Sequence, residues 1–367
     1  MRTIGWVLVL GSAACLGAPP DFNSIVAPLV GAKSPGIAVL VRKDGRILFR
    51  HAYGVRDLRT FQKIDARTNF RLASCTKQFT AMATMLLVHE GKLTYDTRLT
   101  DIFPDFPEYG RAITVRHLLT HTSGLPDYED LMGDRWTPAH QIQDEEVMSL
   151  VKKAKPKFAP GKSWAYSNSG YVVLGLIVAK VAGVPFPQFL HDRLFKPLHM
   201  TGTVAYVAGQ NTVSHRAFGH TKEKDRVIES DQSATSATLG DGGVYSNLDD
   251  LAKWDTALEK HSLLSQGDMQ PALQPVRLAD GSEPRWPATT SEDNLDPGKP
   301  VLYGFGWFLD PYKGYTRMWH FGSTMGFRTA MERFTQEKLT VIILCNRTDL
   351  DPGMLALQVA DVALEGP

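Results

Sequence analysis

Strand-like segments at both ends of the chain enclose a long middle part with helical patterns. Residues 36–54 (GIAVLVRKDGRILFRHAYG) form two β-rich runs joined by Asp44-Gly45, a pair typical of tight hairpin turns. Further strand patterns occur at 303–310, 315–322, 327–335 and 338–346. The sequence therefore predicts an α+β fold: one antiparallel sheet built from both chain ends and flanked by helices, with an inserted, mostly helical region.

The inserted region runs from about Phe70 to Lys260. Residues 75–90 carry apolar side chains at helical spacing and stop at Gly91, and residues 169–183 are apolar on nearly all sides, as expected of a buried helix. Such an insert leaves a groove between itself and the sheet. Ligand sites are commonly found in grooves of this kind.

The first residues have the order of a secretory signal peptide. Arg2 precedes an apolar run from Ile4 to Leu10, and small residues follow. The run is too short to span a bilayer, so we expect a signal peptide at about residues 1–18, a single domain at 22–365 and no transmembrane span after removal of the signal. We therefore expect export to the periplasm or the medium. A lipid anchor at Cys15 is a less favoured alternative, as is an N-terminal helix buried in the fold.

Charge and cysteine content exclude several functions. The chain has 40 basic and 39 acidic residues and no basic stripe interleaved with aromatic residues, so we expect no nucleic-acid partner. No Cys-x-x-Cys pair is present, and two buried free thiols at Cys75 and Cys345 are favoured over a bridge, which stays open. His117 and His121 lack the glutamate of an HExxH motif. We expect neither a metal nor a cofactor.

The first candidate motif for catalysis is Ser74 with Lys77. Residues three apart on a helix share a face, and a helix start favours an oxyanion. A serine needs a base, and a desolvated lysine is one way to supply it. The alternative is a serine that only caps the helix. A second copy of this spacing, Ser149 with Lys152, lies in a charged amphipathic stretch and is interpreted as a solvated helix face.

The second candidate is Tyr166 with Asn168, just before the apolar helix. A phenol beside a lysine can move a proton, and an amide both donates and accepts hydrogen bonds. Tyr245 and Asn247 repeat the spacing. Because Asp250 follows Asn247 by three residues, that copy is interpreted as a helix N-cap.

The third candidate is His320, Gly322 and Ser323 on a predicted strand. Alternation places His320 and Gly322 on one face. Gly322 would let a substrate approach, and the backbone N–H of Ser323 could donate to an oxyanion. His89-Glu90-Gly91 has a similar spacing but ends a helix, where Gly91 is the expected cap.

Together these motifs and their flanks resemble the superfamily of serine β-lactamases and penicillin-binding proteins, in its class C-like branch of β-lactamases, esterases and D-amino-acid peptidases. The similar segments include FRLASCTKQFTA, LLTHTSGLPDY, PGKSWAYSNSGY and HFGSTMGF. The resemblance implies that Ser74 is acylated, with Lys77 and Tyr166 moving protons. It leaves open which of those two is the base in acylation.

The resemblance also assigns binding roles. It implies that Asn168 holds the acyl side chain, and that the N–H groups of Ser74 and Ser323 form the oxyanion hole. His320-Phe321-Gly322 stands where class C β-lactamases have Lys-Thr-Gly. An imidazole has an ordinary pKa of about 6.5, so the permanent cation that would bind a substrate carboxylate is absent. The resemblance therefore favours hydrolysis of small esters or of amides such as D-amino-acid peptides, with weak β-lactam hydrolysis at most.

Two alternatives to this ester or amide hydrolase remain on the same fold. One is a carboxypeptidase of the penicillin-binding type, and the other is a cell-wall or β-lactam binding protein that acylates without turnover. An α/β-hydrolase is excluded because the chain has no Gly-x-Ser-x-Gly motif. In each remaining case the partner is a small-molecule or peptide substrate.

Overall fold

The computed structural model describes residues 21–224, 226–287 and 297–365. The predicted signal peptide and Cys15 lie outside these residues. Ten strands are present in the described ranges: β1 (Ile37–Lys43), β2 (Arg46–Tyr53), β3 (Phe70–Arg71), β4 (Val204–Ala205), β5 (His220–Glu223), β6 (Arg226–Glu229), β7 (Val244–Ser246), β8 (Arg317–Thr324), β9 (Phe327–Phe334) and β10 (Leu339–Cys345).

The main sheet has five antiparallel strands in the order β2-β1-β10-β9-β8. It combines an N-terminal hairpin with three C-terminal strands, which confirms the predicted α+β class. Asp44 and Gly45 join β1 to β2 with φ angles of 50° and 77°. Positive φ at both central residues is what a tight type I′ hairpin turn requires.

The two faces of the sheet pack against different layers. Ala38 and Leu40 of β1 belong to the large core shared with the inserted region, whereas Ile37, Val39 and Val41 belong to a second core on the outer face. This alternation is the period of a strand covered on both sides. The sheet therefore lies between the inserted region and the terminal helices.

The helices lie mainly in the inserted region, as predicted. Those in the described ranges are α1 (Asn23–Val26), α2 (Lys77–His89), α3 (Leu99–Ile102), α4 (Val115–Leu119), α5 (Tyr128–Leu131), α6 (Asp144–Lys153), α7 (Asn168–Ala182), α8 (Phe186–Leu190), α9 (Leu248–Glu259), α10 (Gln266–Met269) and α11 (Pro352–Glu365). Other helical turns, of 3₁₀ or π type, are Ala27–Leu29, Ala73–Thr76, Glu108–Ala112, His191–Phe195 and Gln270–Leu273.

The central helix α2 is buried along most of its length and packs against α7. Phe79 contacts the Trp254 ring at 4.6 Å between centroids. Among the described residues no single helix is long and apolar enough to cross a membrane; α7 and the segment 186–195 meet that criterion only as a pair bent by 78°.

One expectation about strands was wrong. Residues 303–310 form a tight loop, because Gly306 has a φ of 77° and the Gly304 N–H bonds the Trp307 carbonyl at 2.8 Å. Only Tyr303 and Phe308 in this loop make isolated bridges. The inserted region also contains β3 to β7, whose strands of two to four residues are too short for a period-two pattern to reveal.

Candidate active site

Ser74 lies on a sharp turn that connects β3 to α2. The turn is a 3₁₀ helix, Ala73–Thr76, so the α-helix begins at Lys77 and not at residue 75. Ala73 has a φ of 48°, an uncommon conformation for alanine that reverses the chain direction immediately before the serine. Ser74 is half-buried and lines a small polar cavity of about 50 Å³. The turn thus presents the hydroxyl to a solvent-connected site.

Lys77 has no exposed surface and contacts Ser74 directly. Its Nζ lies 2.9 Å from Ser74 Oγ, 2.8 Å from Asn168 Oδ1 and 3.0 Å from the Asp241 carbonyl oxygen. Three of the residues singled out in the sequence, Ser74, Lys77 and Asn168, therefore meet at one nitrogen. The Asp241 carbonyl, from a loop 164 residues further along the chain, completes the set.

Burial lowers the pKa of Lys77 to about 8, although the carboxylates of Asp241, Asp127 and Glu129 oppose this shift. Desolvation disfavours the ammonium form, whereas nearby negative charge favours it. A lysine with this pKa has a substantial neutral fraction near pH 8. The neutral amine carries a lone pair that can accept the serine proton.

Sequence reasoning missed the acidic groups around Lys77. Asp241 is 5% exposed; its Oδ2 accepts a hydrogen bond from Tyr128 Oη at 3.0 Å, and its Oδ1 has no hydrogen-bond partner among the described residues. Asp127 Oδ2 accepts from the Asn168 N–H at 2.6 Å. Asp127 and Glu129 lie in LPDYED, directly after the LLTHTSG segment, and Asp241 lies in the glycine-rich GDGG. The position of these acidic residues in turns was the sequence signal that could have indicated their place at the site.

Tyr166 stands beside Lys77, with Lys77 Nζ 4.9 Å from the centre of its ring. On its other side is the imidazole of His121, at 4.4 Å between centroids. His121 Nδ1 accepts from the Ser167 N–H at 3.1 Å, so the imidazole is fixed. Burial lowers the pKa of His121 well below its usual value. His121 is therefore a neutral support for the tyrosine.

His320 is only 1% exposed and lies behind Tyr166, with 6.2 Å between the ring centroids. Its Nδ1 donates to the Phe321 carbonyl at 2.7 Å, and its Nε2 lies 3.3 Å from Tyr303 Oη. Burial, together with the Lys77 charge, lowers the pKa of His320 to about 3. The residue is thus neutral at ordinary pH and is packed among aromatic rings.

Gly322 faces the nucleophile turn, and its role in making room for a substrate stays a prediction. A Cβ at this position would overlap the Leu72 carbonyl oxygen and the Thr329 hydroxyl, and would lie 3.2 Å from Ala73 Cβ. Thr329 Oγ1 itself donates to that Leu72 carbonyl at 2.8 Å. The missing side chain therefore lets β8 pack directly against the turn that carries Ser74.

We expect Gly322→Ala to destabilise the fold by about 1–3 kcal/mol, because overpacking forces the backbone apart. Thermal unfolding of the purified protein measures this. Gly267→Ala is the matched control and should not destabilise, because its new Cβ would lie in an open helical position, 3.7 Å from Ser265 Oγ. Equal melting temperatures for both variants would show that residue 322 is not tightly packed.

The backbone N–H and C=O groups of Ser323 point away from the rest of the sheet. Trp319 exchanges both of its backbone hydrogen bonds, each 2.9 Å, with Phe308 on the side of β8 opposite to β9. Backbone groups alternate along a strand, so those of Ser323, four residues later, face the same outer side. Ser323 is exposed and lines the polar cavity together with Ser74.

The remaining motifs are structural. Asn247 caps α9 by accepting from the Asp250 N–H at 3.0 Å, as predicted. Ser149 Oγ donates to the Glu145 carbonyl within α6 at 2.9 Å, and Lys152 pairs with Asp105 at the surface. The second copies of the serine–lysine and tyrosine–asparagine spacings therefore have ordinary roles.

The two described cysteines, Cys75 and Cys345, are free and buried, which confirms the favoured interpretation. Burial raises the pKa of each thiol to about 12, so neither is a reactive thiolate. In the described ranges no group of three or more His, Cys, Asp or Glu side chains is placed to hold a metal ion.

The edge strand β8 borders a serine on a strained turn, and a buried lysine contacts that serine. Together these features define the class of serine hydrolases with a lysine partner. The chain belongs to the Beta-lactamase family, whose model matches residues 22–364.

Known proteins of similar sequence and fold agree with this assignment. Penicillin-binding protein 4* of Bacillus subtilis is 32% identical over 345 residues, which cover 89% of this chain and 72% of that protein. The octameric penicillin-binding protein homologue from Pyrococcus abyssi has a TM-score of 0.76 at 25% identity, over 90% of this chain and 73% of that one. D-amino acid amidase from Ochrobactrum anthropi has the same fold, with a TM-score of 0.76 at 24% identity over 94% and 97% of the two chains.

Proposed function

We propose that this protein is a serine hydrolase that forms an acyl-enzyme on Ser74 and hydrolyses amide or ester bonds. The contacts of Lys77 carry this proposal. A neutral amine has two N–H bonds and one lone pair. The Asn168 amide oxygen and the Asp241 carbonyl accept the two N–H bonds, which directs the lone pair at the Ser74 hydroxyl, 2.9 Å away. This favours Lys77 as the base in acylation.

In the proposed acylation, Ser74 Oγ attacks the substrate carbonyl carbon and its proton passes to Lys77 Nζ. The C–N or C–O bond then breaks, and Tyr166 gives its phenolic proton to the leaving amine or alcohol. This leaves a lysine ammonium beside a phenolate. Because Nζ lies 4.9 Å from the tyrosine ring centre, the two opposite charges stabilise each other.

In the proposed deacylation, water attacks the ester carbonyl and gives a proton to the Tyr166 phenolate. Ser74 Oγ leaves and regains its proton from the Lys77 ammonium, so both groups return to their starting states. The backbone N–H groups of Ser74 and Ser323 would stabilise the oxyanion in both steps. Asn168 would position both the acyl group and Lys77.

The charges around the site favour a substrate with an ammonium group over one with a carboxylate. Glu129 and Asp241 line the polar cavity with Ser74, and Asp241 Oδ1 is buried without a hydrogen-bond partner among the described residues. The Arg71 guanidinium also lines it, but donates to the backbone carbonyls of Ser236 and Gly242. His320 is neutral. The proposed substrates are therefore amides or esters of amino acids or short peptides with a free amino group.

The relatives support amide chemistry without fixing the substrate. One relative is a penicillin-binding protein by name, and a protein of the same fold is a D-amino acid amidase. A protein that acylates without turnover stays the second candidate because of the penicillin-binding relative. The proposal includes export to the periplasm or the medium, which the pattern of residues 1–18 predicts.

We expect amino-acid amides with a free amino group to be hydrolysed about tenfold faster, as kcat/KM, than their N-acetylated counterparts, since one charge-assisted contact is worth about 1.5–3 kcal/mol. Both D and L forms should be assayed. Glu129→Gln should reduce this ratio, because it removes a negative charge from the cavity wall.

Glu145→Gln, at an exposed position of α6, is the matched control and should leave the ratio unchanged. A preference for the N-acetylated amides would overturn the assignment of an ammonium substrate. Absence of any hydrolysis, with a lasting covalent adduct, would instead favour the non-turnover candidate.

A further inference from the structure

His121 lies in a tight turn just after α4, beside the proposed proton donor Tyr166. Its φ is 60°, a left-handed conformation that is uncommon outside glycine and in which histidine is enriched. The residue is only 1% exposed. The proposed mechanism gives His121 no chemical step, so its place in the site must be explained by what it holds.

His121 holds the backbone on both sides of Tyr166. The Ala165 N–H donates to the His121 carbonyl at 3.1 Å, and the Ser167 N–H donates to His121 Nδ1 at 3.1 Å. The two donors are the residues directly before and after the tyrosine. One residue therefore fixes the short segment that carries the phenol, once through its backbone and once through its side chain.

The imidazole directs its hydrogen bonding to this segment. A neutral imidazole has one N–H and one lone pair, so an Nδ1 that accepts a hydrogen bond leaves the ring proton on Nε2. That Nε2 is buried and has no hydrogen-bond partner among the described residues. Burial, together with the Lys77 charge, lowers the pKa of His121 well below its usual value, so Nδ1 keeps its lone pair at ordinary pH.

Aromatic rings hold the imidazole in place. Its centroid lies 4.4 Å from that of Tyr166, 4.7 Å from that of Tyr303 and 5.1 Å from that of Tyr171. Tyr171 is itself anchored, because its Oη donates to the Leu119 carbonyl at 2.9 Å. The imidazole is thus packed from several directions, and the Tyr166 ring rests against a fixed neighbour.

The position of Tyr166 matters most for bonds whose leaving group needs a proton. An amine leaves the acyl carbon only after its nitrogen is protonated, whereas p-nitrophenolate leaves as a stable anion. A general acid must lie within hydrogen-bond reach of the atom that it protonates, and a displacement of about 1 Å can cost about 100-fold in rate. A misplaced tyrosine should therefore impair amide cleavage much more than cleavage of an activated ester.

We propose that His121 is a positioning residue for Tyr166, and that amide hydrolysis depends on the hydrogen bond that its Nδ1 accepts. This inference rests on the proposed hydrolase function, since it concerns a proton transfer of the same reaction. During acylation the proton moves from Tyr166 Oη to the leaving nitrogen as the C–N bond breaks. His121 stays neutral throughout and does not contact the substrate.

The test compares a p-nitroanilide with a p-nitrophenyl ester of the same amino acid, which share the acyl group and the leaving ring. His121→Phe keeps an aromatic ring but removes the acceptor. Its anilide-to-ester ratio of kcat/KM should fall about tenfold or more, while the ester alone changes less than about threefold. His121→Asn places an amide oxygen close to the position of Nδ1 and tolerates the positive φ, so it should keep the ratio within about threefold of wild type.

His117→Phe is the matched control. His117 Nδ1 also accepts from a backbone N–H, that of Thr114 at 3.2 Å, but this contact caps the start of α4. Its loss should leave the anilide-to-ester ratio unchanged, whatever it does to stability. Thermal unfolding checks that each variant is folded.

Equal losses on both substrates in His121→Phe, or an unchanged ratio, would overturn the positioning role. A tenfold fall of the ratio in His121→Asn would do the same, and this result is available even if His121→Phe does not fold. Wild-type hydrolysis of the ester alone would keep the hydrolase and overturn the role in amide cleavage. If the wild type hydrolyses neither substrate, the proposed function fails and the positioning role fails with it.

Discussion

Replacing Ser74 with alanine is expected to lower turnover of amide and ester substrates by about 10⁴-fold or more, because the mechanism loses its nucleophile. The hydroxyl is half-buried at a turn whose shape is set by Ala73 and by the packing of β8. Removing one oxygen should therefore leave the fold intact. Steady-state hydrolysis at matched protein concentration measures the effect, with thermal unfolding as the check on folding.

Ser149→Ala is the matched control for that variant. Ser149 has the same spacing to a lysine, but its hydroxyl donates to a carbonyl within its own helix. Its loss should change hydrolysis less than twofold. Comparable activity in wild type and Ser74→Ala would move the nucleophile to another residue.

Replacing Lys77 with methionine is expected to lower the rate of acylation by about a thousandfold, which is within the range for loss of a general base. Methionine keeps most of the apolar volume of the buried lysine and removes the three contacts of Nζ. The measurement is the pre-steady-state rate of acyl-enzyme formation. A folded Lys77→Met variant that acylates at the wild-type rate would assign the base to another group.

The pH dependence of the wild type tests the same role. Because burial lowers the pKa of Lys77 to about 8, the basic form gains population as pH rises through 8, so kcat/KM should rise there and level off above. Asp241→Asn removes a carboxylate that raises this pKa, so the rise should move to lower pH. The backbone carbonyl of residue 241 stays in place as an acceptor.

An uncharged ester is the substrate for this profile, which separates the pKa of Lys77 from binding of an ammonium group. Asp280→Asn, at an exposed position, is the control and should not move the profile. If the rise in kcat/KM moved to higher pH in Asp241→Asn, this would contradict its assignment to the pKa of Lys77.

Local sequence signals predicted the parts of this molecule that depend on neighbours along the chain. The hairpin at Asp44-Gly45 follows from the φ angles that such a turn needs, and the cap at Asn247 follows from its spacing to Asp250. The serine–lysine pair is also local, since its two members are three residues apart. Resemblance in several ordered segments then identified the family.

Long-range contacts explain what the sequence did not predict. Asp241 reaches Lys77 from a loop more than 160 residues away, and its role depends on burial that no local pattern reports. Gly322 is a glycine because β8 packs on the Leu72 carbonyl, a contact between a C-terminal strand and the start of the inserted region. The burial of His320 depends on Tyr303, in a loop that resembled a strand.

Intact-mass spectrometry over time tests the central claim, that Ser74 forms an acyl-enzyme that turns over. The purified protein and its Ser74→Ala variant are each mixed with an activated amino-acyl ester, and both protein mass and released acid are followed. The mechanism predicts an adduct of one acyl group on the wild type only, which decays while acid accumulates. An adduct of equal yield on Ser74→Ala, or steady hydrolysis without any Ser74 adduct under rapid quenching, would contradict it.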